Sequence, residues 1–450
     1  MICMRFNQAA SLLNSAPVDP DFVFRGITTD SREVIPGCIF AALEGETFDG
    51  HDYVEQAKAL GASALLVSRD VETDLPVLQV ENVLTALGML AGSWRLQCPA
   101  RVVGITGSNG KTTVKEMVAS ILRLSGAVLA TAGNYNNELG LPLTLFQLAH
   151  AHDYAVIEMG ASKAGDIAYL GAIAKPDVGV ITNIGPAHLE GFGTLEGVAM
   201  AKGEIYSALP SDGTAVMNLA EPWVGTWQSL NHASNVLYFN GDSDSSIRAE
   251  QSGDQWIVHT PKGEFELQMY LPGRHNISNA LAATAVCLAL DVSLDDISKG
   301  LQAVPPVPGR LNLVKAKCGW MVIDDTYNAN PASLYAALDV LNSQAGEHWL
   351  VLGDMKELGT DSIKMHAEMG DAARTQGVTR LFAVGEASVA TADAFGAAAL
   401  HFENRDKLIA SLRAQLKPGV ACLVKGSRSM GMEQVVRAIS NGEDCLEVNG

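Results

Sequence analysis

The sequence predicts an α/β protein of three domains: a small α/β N-terminal domain, a central P-loop-type ATPase domain on a mostly parallel sheet, and a C-terminal Rossmann-like doubly wound domain. Three observations carry this reading. The run Gly104-Ile105-Thr106-Gly107-Ser108-Asn109-Gly110-Lys111-Thr112-Thr113 lies between an apolar segment and a helical pattern. Short apolar runs alternate with helical stretches on both sides of it. Val304-Pro305-Pro306-Val307-Pro308-Gly309 then interrupts the chain with prolines that fit neither a helix interior nor a central strand, which marks a stiff hinge. The expected domains are 1–82, 83–308 and 309–450.

In the first domain, strand-like runs at 38–43 and 64–67 flank an alanine-containing helix at 53–60. No Gly-x-Gly-x-x-Gly occurs there, which excludes a dinucleotide-type entry. A helix over 83–98 leads to Pro99. Val102-Val103-Gly104-Ile105 predicts a buried strand, and apolar residues at Val114, Met117, Val118, Ile121 and Leu122 predict a helix over 114–124. Tyr154-Ala155-Val156-Ile157-Glu158 and the run 178–183 predict further strands whose polar ends fall where open α/β sheets bind ligands. Residues 218–270 change character and predict an antiparallel insertion or edge sheet. The apolar run 280–290 reads as a buried helix. In the third domain, strands at 321–323, 349–352, 381–384 and 421–424 alternate with helical stretches.

Composition narrows the function classes. A hydrophobic content of 48% against 18% charged residues suffices for sizeable cores, and a net charge of −19 disfavours a nucleic-acid surface. The seven cysteines are scattered, odd in number and without C-x-x-C spacing, so reduced thiols are expected rather than disulfides or a zinc site. No run of about 18 apolar residues predicts a transmembrane helix. The first residues have no charged segment followed by an apolar core, so no secretory signal is expected. Together these point to a cytoplasmic protein without membrane insertion.

The glycine loop is a phosphate cradle. Gly107 and Gly110 let backbone N–H groups, with those of Ser108 and Asn109, turn toward phosphate oxygens, and the helix N-terminus that includes Thr113 adds positive potential. Lys111 can reach the β- and γ-phosphates, and the Thr112 hydroxyl can ligate Mg2+. The strict G-x-x-x-x-G-K-[ST] pattern would place glycine where Ile105 stands, so this is the narrower Thr-Gly-x-x-Gly-Lys-Thr-Thr form. Glu158 at a strand end suits Mg2+ or its water, or simply faces solvent. His188, in Asn183-Ile184-Gly185-Pro186-Ala187-His188, is a metal ligand or an ordinary loop histidine. Lys202, in Ala201-Lys202-Gly203-Glu204, reads from its neighbours as a solvated lysine. Asn276 and Asn279 could pair with the edge of adenine, or Asn276 could cap the helix that follows Pro272-Gly273-Arg274. Arg310 follows the proline hinge and could swing onto a phosphate as the third domain closes. Asp324-Asp325-Thr326-Tyr327-Asn328-Ala329-Asn330-Pro331 puts acids and amides at one strand end, as a site or as an Asx-rich turn. Lys425-Gly426-Ser427-Arg428 is a basic strand-to-helix turn suited to a carboxylate or phosphate.

Taken together these motifs resemble the Mur ligase family of peptidoglycan synthesis, over nearly the whole chain. The family's Thr-Gly-x-x-Gly-Lys-Thr matches 106–112, its strand-end glutamate Glu158, its Asn-x-x-x-x-His loop Asn183 to His188, and its Ala-Lys-Gly-Glu 201–204. Thr28-Thr29-Asp30-Ser31-Arg32, with Phe48-Asp49-Gly50-His51-Asp52, is similar to the UDP-sugar-peptide domain of the later ligases. The Asp-Asp-Thr-Tyr-Asn-Ala-Asn-Pro run resembles the branch that adds D-alanyl-D-alanine. The Asp-Asn-Pro-Arg motif of the diaminopimelate-adding branch is absent, Phe402-Glu403-Asn404-Arg405 being no substitute.

The resemblance implies an ATP-dependent amide ligase that joins D-Ala-D-Ala to UDP-MurNAc-tripeptide through an acyl phosphate, the last cytoplasmic step to the UDP-MurNAc-pentapeptide. Domain 1–82 would bind the UDP-MurNAc-peptide, 83–308 ATP, and 309–450 would close on ATP and dipeptide. ATP and two Mg2+ are implied, with Thr112, Glu158, His188 and a carbamylated Lys202 as the metal set. Lys111, Glu158, His188, Lys202 and Arg310 become the catalytic residues. Asn276, Asn279, Arg310 and Asp325 join the phosphate loop as nucleotide contacts. Thr29, Asp30, Ser31, Arg32, Asn134 and Asn137 become contacts for the nucleotide sugar, and Asn328, Asn330, Lys425, Ser427 and Arg428 candidates for the dipeptide. A monomer acting on small molecules is expected. The alternatives are a related ligase adding diaminopimelate or lysine, a folylpolyglutamate-type enzyme, which lacks an N-terminal segment of this kind, and a non-ligase ATP-binding regulatory module.

Overall fold

The computed structural model describes residues 1–440 apart from 46, 244, 245, 254 and 317. Strands β1 (Cys3–Arg5) and β2 (Val23–Arg25) form an antiparallel pair. Beside them β3 (Ile27–Thr28), β4 (Ile39–Ala41), β5 (Ala64–Val67) and β6 (Val77–Gln79) make a parallel sheet in that order. Alternate residues divide this sheet's faces. Phe40, Leu65 and Val67 pack with Val54 and Ala57 of the helix Val54–Ala59. Ile39, Ala41, Ala64 and Leu66 join a core that continues through the helix Val83–Arg95 into the central domain at Val102 and Ile157. The first two domains therefore share apolar packing, and residues 28–30 line a cleft with Leu129, Ala130 and Tyr135 of the central domain.

The central sheet runs β12 (Asn235–Phe239), β11 (Thr214–Asn218), β10 (Val178–Ile181), β7 (Arg101–Thr106), β9 (Tyr154–Glu158), β8 (Val128–Ala130), all parallel. Its four inner strands, β11, β10, β7 and β9, are short apolar runs buried on both faces, as a sheet with helices on each side requires. From β7 the chain moves toward β8 and β9, and from β10 it moves the other way. The crevice between the β7 and β10 ends is a topological switch point, where such sheets bind ligands. The phosphate loop and the 182–188 loop both open there.

The region 218–270 corrects the expectation. Only β13 (Arg248–Ser252), β14 (Gln255–Thr260) and β15 (Gly263–Leu267) form an antiparallel sheet. β12 is the parallel edge strand of the main sheet, reached through the helix Val224–Leu230. Alternation along an edge strand looks the same whichever way its partner runs, so the sequence pattern merged the two. The phosphate-loop helix is Lys111–Leu122 and begins earlier than the apolar pattern suggested, because its first turn is set by the loop and not by core residues. Asn276 does not cap the helix Arg274–Ala289: that position is Gly273, and the Asn276 amide donates to Pro272 O at 2.7 Å.

After the irregular segment 304–309, the third sheet runs β16 (Asn312–Lys315), β17 (Met321–Asp325), β21 (Val420–Lys425), β18 (Glu347–Gly353), β19 (Arg380–Val384), β20 (Ala399–Phe402). Only β16 is antiparallel to its neighbour. Leu334, Leu338, Met369 and Ala373 cover one face of this sheet, and Leu408, Leu412, Val435 and Ile439 the other. That is the doubly wound arrangement the strand–helix alternation predicted. Cys3, Cys38, Cys98, Cys287 and Cys422 are free, but Cys318 is disulfide-bonded, which corrects the expectation of reduced thiols throughout. A cysteine count with no C-x-x-C spacing cannot detect a single bridge. Cys445 lies outside the described residues.

Candidate active site

The turn from β7 into the helix Lys111–Leu122 needs two left-handed glycines, Gly107 at φ +146° and Gly110 at φ +80°. A Cβ on Gly107 would sit 1.9 Å from Thr182 Oγ1, and one on Gly110 2.4 Å from Asn279 Oδ1. The loop is thus shaped by the β10 end and by the helix Arg274–Ala289 as well as by its own sequence. Ser108 N donates to Asn183 O at 2.9 Å, Asn109 N to Asn183 Oδ1 at 3.0 Å, and Ser108 Oγ to Gly185 O at 3.0 Å. Lys111 Nζ folds back onto Gly107 O at 2.8 Å, within reach of the cradle.

Glu158, 2% exposed, ends β9 beside this loop. It accepts from Thr112 Oγ1 at 3.0 Å and from Asn136 Nδ2 at 2.8 Å. The solvent-facing alternative for Glu158 is therefore wrong. A hydroxyl and one carboxylate are hard oxygen donors of the kind Mg2+ takes when substrate phosphates complete its shell. Among the described residues no group of three His, Cys, Asp or Glu side chains could hold a metal unaided. The donor set fits a metal that arrives with a nucleotide and does not fit a permanent cage.

Lys202 also departs from its reading as a solvated lysine. It is 1% exposed in the helix Leu195–Ser207, its Nζ lies 5.7 Å from the Phe192 ring centroid, and no carboxylate among the described residues lies within 4.0 Å of it. Burial first, then the Lys111 charge, pushes its ammonium well below the ordinary lysine range. Asp166 opposes this shift, but a buried ammonium without a close ion pair is costly, and the neutral amine it favours is the form that adds CO2. Burial likewise lowers Lys111, with Arg310 adding to the effect and Glu158 opposing it. Around the cradle, Lys111, Arg310 and Arg428 face Glu138, Glu158 and Asp166 across one cleft.

The third domain completes the site. Arg310 leaves the hinge and stacks on Tyr327 at 4.1 Å from the ring centroid, while its Nε is buried without a hydrogen-bond partner. Asn330, N-cap of the helix Pro331–Asn342, donates through Nδ2 to Asn109 Oδ1 of the phosphate loop at 2.8 Å. Lys425 is buried, pairs with Asp325 and donates to Asn328 O at 2.9 Å.

Two clefts meet at Asn109, Gly110 and Arg310. One, of about 330 Å³, is lined by Ser108, Lys111, Asn134, Asn137, Glu158, His188, Asn328, Asn330 and Arg428, together with Asn136, Glu138, Tyr169 and Tyr327. The other, of about 280 Å³, is lined by Thr113, Leu271, His275, Asn276, Asn279, Asp325 and Lys425. A third, of about 510 Å³, lies between the first two domains and includes Thr29, Asp30 and Tyr135. Ser31 instead donates to Gln56 Oε1 at 3.1 Å, and Arg32 pairs with Asp30 at 2.6 Å. Ser427 lines none of these clefts; it accepts from Lys356 N at 2.8 Å. Lys425 falls in the second cleft with Asn276 and Asn279, away from Arg428. Sequence reasoning missed Asn136, although it lies between the named Asn134 and Asn137, and Tyr327, which sits in the quoted Asp324–Pro331 run.

Comparison with known proteins matches three family models in chain order: the Mur ligase family catalytic domain at 23–95, the Mur ligase middle domain at 105–287, and the Mur ligase glutamate ligase domain at 309–428. The chain is 44% identical to the UDP-N-acetylmuramoyl-tripeptide–D-alanyl-D-alanine ligase of Escherichia coli, with 99% of this chain and all of that protein covered. It is 34% identical to the ligase of the same name from Bacillus subtilis, covering 97% of this chain and 98% of the relative. A crystal structure of MurF from Acinetobacter baumannii superposes with a TM-score of 0.89 at 34% identity, covering 97% and 98% of the two chains. MurF from Thermotoga maritima, solved in complex with ADP, superposes with a TM-score of 0.83 at 30% identity, covering 93% and 97%.

Proposed function

The chain belongs to the Mur ligase family, and we propose that it is the ATP-dependent ligase that joins D-alanyl-D-alanine to UDP-N-acetylmuramoyl-tripeptide. The product is the UDP-MurNAc-pentapeptide. The observation that carries this reading is the meeting of two clefts at a glycine loop, with a hinge arginine whose buried Nε has no partner. One cleft suits a nucleotide. The other, lined by Lys111, Arg310 and Arg428, suits a large anionic peptide carrying a nucleotide sugar. Identity over the full length to ligases of this name supports the substrate assignment. Among the described residues no helix is long and apolar enough to cross a membrane, and we place the enzyme in the cytoplasm, where ATP is available.

The chemistry divides into two displacements. A carboxylate oxygen of the tripeptide attacks the γ-phosphorus, the bond to the ADP oxygen breaks, and an acyl phosphate forms. The dipeptide amine then attacks the acyl carbon; the tetrahedral intermediate expels phosphate and the amine loses its proton. Both steps need charge neutralisation and positioning rather than a protein nucleophile. Lys111 and Arg310 neutralise phosphate charge. Thr112 and Glu158 would hold one Mg2+, and His188 with a carbamylated Lys202 would hold a second; metals bound there would supply positive charge against the phosphates. The loop amides of 107–113 bind the phosphates, Asn276, Asn279 and Asp325 the nucleoside, and Lys425 acts on the same side through Asp325. Thr29 and Asp30 hold the nucleotide sugar, with Ser31 and Arg32 shaping their loop. Asn134 and Asn137 face the peptide. Asn328, Asn330 and Arg428 face the dipeptide, and Ser427 braces the turn that carries Arg428. Residues 1–82, 83–308 and 309–450 correspond to these three tasks, and closure at 304–309 keeps water from the acyl phosphate.

An amine panel tests the assignment: purified protein, ATP and UDP-muramoyl-tripeptide with D-Ala-D-Ala, diaminopimelate or lysine. ADP release that requires both the tripeptide and D-Ala-D-Ala supports it. Turnover of ATP without either, or ADP release with diaminopimelate or lysine and not with D-Ala-D-Ala, contradicts it.

A further inference from the structure

Outside the motifs used so far, one contact joins the closing domain to the central one at a residue of the site. His188 Nδ1 lies 2.6 Å from Glu357 Oε2. Glu357 belongs to the third domain, in the loop that follows β18. We propose that Glu357 is a positioning residue: it takes the Nδ1–H of His188 when the domains close, and so presents Nε2 to the cleft.

Three features support this. Both residues are non-glycine yet left-handed, His188 at φ +54° and Glu357 at φ +63°. Backbone of this kind persists where the surroundings over-determine it, and such positions gather at functional sites. The loop carrying Glu357 is fixed at its root. Buried Asp354 accepts from Ser388 N at 2.9 Å, Ser388 Oγ at 2.7 Å and Lys356 Nζ at 3.0 Å, while Met355 N donates to His366 Nε2 at 3.0 Å. Ser427 N donates to Asp354 O at 3.0 Å, so the turn that carries Arg428 and the loop that carries Glu357 move as one piece. Finally, the pair itself is too exposed to hold two domains together: the two side chains are 34% and 56% accessible. Ion pairs at that exposure stabilise little. What the contact can do is choose the imidazole tautomer and fix the ring, as a carboxylate does behind a metal-bound histidine. With Nδ1 taken, Nε2 is the nitrogen left for the cleft that His188 lines. Closure would then complete the metal site with a group from the moving domain.

This rests on the reading of His188 as a metal ligand during ligation, so the test has an arm that needs no ligation. Nitrogen-15 spectra of histidine-labelled protein with ADP and EDTA are compared for wild type, Glu357→Ala and Glu357→Gln, with the His188 signals assigned by their loss in His188→Gln. The expected result is an Nδ1–H tautomer in wild type and Glu357→Gln, lost or averaged in Glu357→Ala. In ligation assays, Glu357→Ala raises the Mg2+ concentration for half-activation by about 10- to 100-fold, while Glu357→Gln, still a hydrogen-bond acceptor, stays within a few-fold of wild type. A wild-type His188 spectrum or a wild-type Mg2+ dependence in Glu357→Ala overturns the proposal. If wild type itself fails to ligate, the functional reading falls, and the tautomer alone decides whether Glu357 orients His188.

Discussion

The hydrogen bond from Asn330 to Asn109 links the third domain directly to the phosphate loop, and its strength can be isolated. Asn330 has two tasks. Its Oδ1 accepts from Ser333 N at 2.8 Å as the N-cap of a helix, and its Nδ2 donates to Asn109 Oδ1 at 2.8 Å across the domain boundary. Asn330→Ala removes both, at about 1 kcal/mol for the cap. Asn330→Ser keeps a capping oxygen but is too short to span to Asn109, so it removes the cross-domain bond alone. A neutral, partly buried hydrogen bond is worth about 0.5–1.5 kcal/mol net, so the coupling of Asn330→Ser with Asn109→Ala in a double-mutant cycle is expected near 1 kcal/mol, roughly a fivefold factor in affinity. ADP affinity is the observable, because the nucleotide cleft is lined from both domains and binding reports the closed arrangement. Calorimetric titration of the four proteins gives the cycle, and thermal denaturation checks that Asn330→Ala loses about 1 kcal/mol more stability than Asn330→Ser, the share of the cap. Additivity within about 0.3 kcal/mol would refute the claim that this bond helps hold the closed state.

Other outcomes follow from the same geometry. Gly107→Ala puts a methyl 1.9 Å from Thr182 Oγ1 at φ +146°; thermal denaturation should show a loss of about 1–3 kcal/mol, and titration should show ADP affinity largely gone. Lys202, buried and held toward its neutral form, should yield a carbamate signal in carbon-13 NMR with labelled bicarbonate, absent in Lys202→Met, and CO2-depleted wild type should lose ligation. Hydrogen bonds from the Arg32 side chain and then its backbone N–H lower the Asp30 carboxyl from 3.8 to about 2. Its stabilising effect is therefore present above pH 3.8 and lost as pH falls through about 2. In Arg32→Ala the Asp30 titration, followed by carboxyl NMR, should move up toward the ordinary value.

The three-domain α/β architecture was legible because buried parallel strands are short apolar runs and the hinge is marked by prolines. The glycine loop and the helix after it were legible because the required φ values force glycine at 107 and 110. What stayed hidden is tertiary. Lys202 reads as solvated from its helical neighbours, and only the packing around the helix Leu195–Ser207 reveals that it is buried without a counter-ion. Lys425 and Arg428 look like one basic turn, yet strand register sends Lys425 to Asp325 on the nucleotide side while Arg428 faces the other cleft. Glu357 has no signature at all, since its partner His188 lies in another domain. In the 218–270 region the antiparallel sheet of β13 to β15 was legible but β12 was merged with it, because an edge strand's alternation does not encode the direction of its neighbour.

The central claim is that ATP is used to activate a carboxylate for attack by an amine. Oxygen-18 placed in the tripeptide's reacting carboxylate tests it most directly. With ATP, the labelled UDP-muramoyl-tripeptide and D-Ala-D-Ala, one labelled oxygen should appear in the inorganic phosphate for each amide bond formed, because the oxygen that attacked the γ-phosphorus leaves with it. Phosphate without label, formed while ATP is consumed, would mean that water and not the carboxylate accepts the phosphoryl group, and the ligase account would fall.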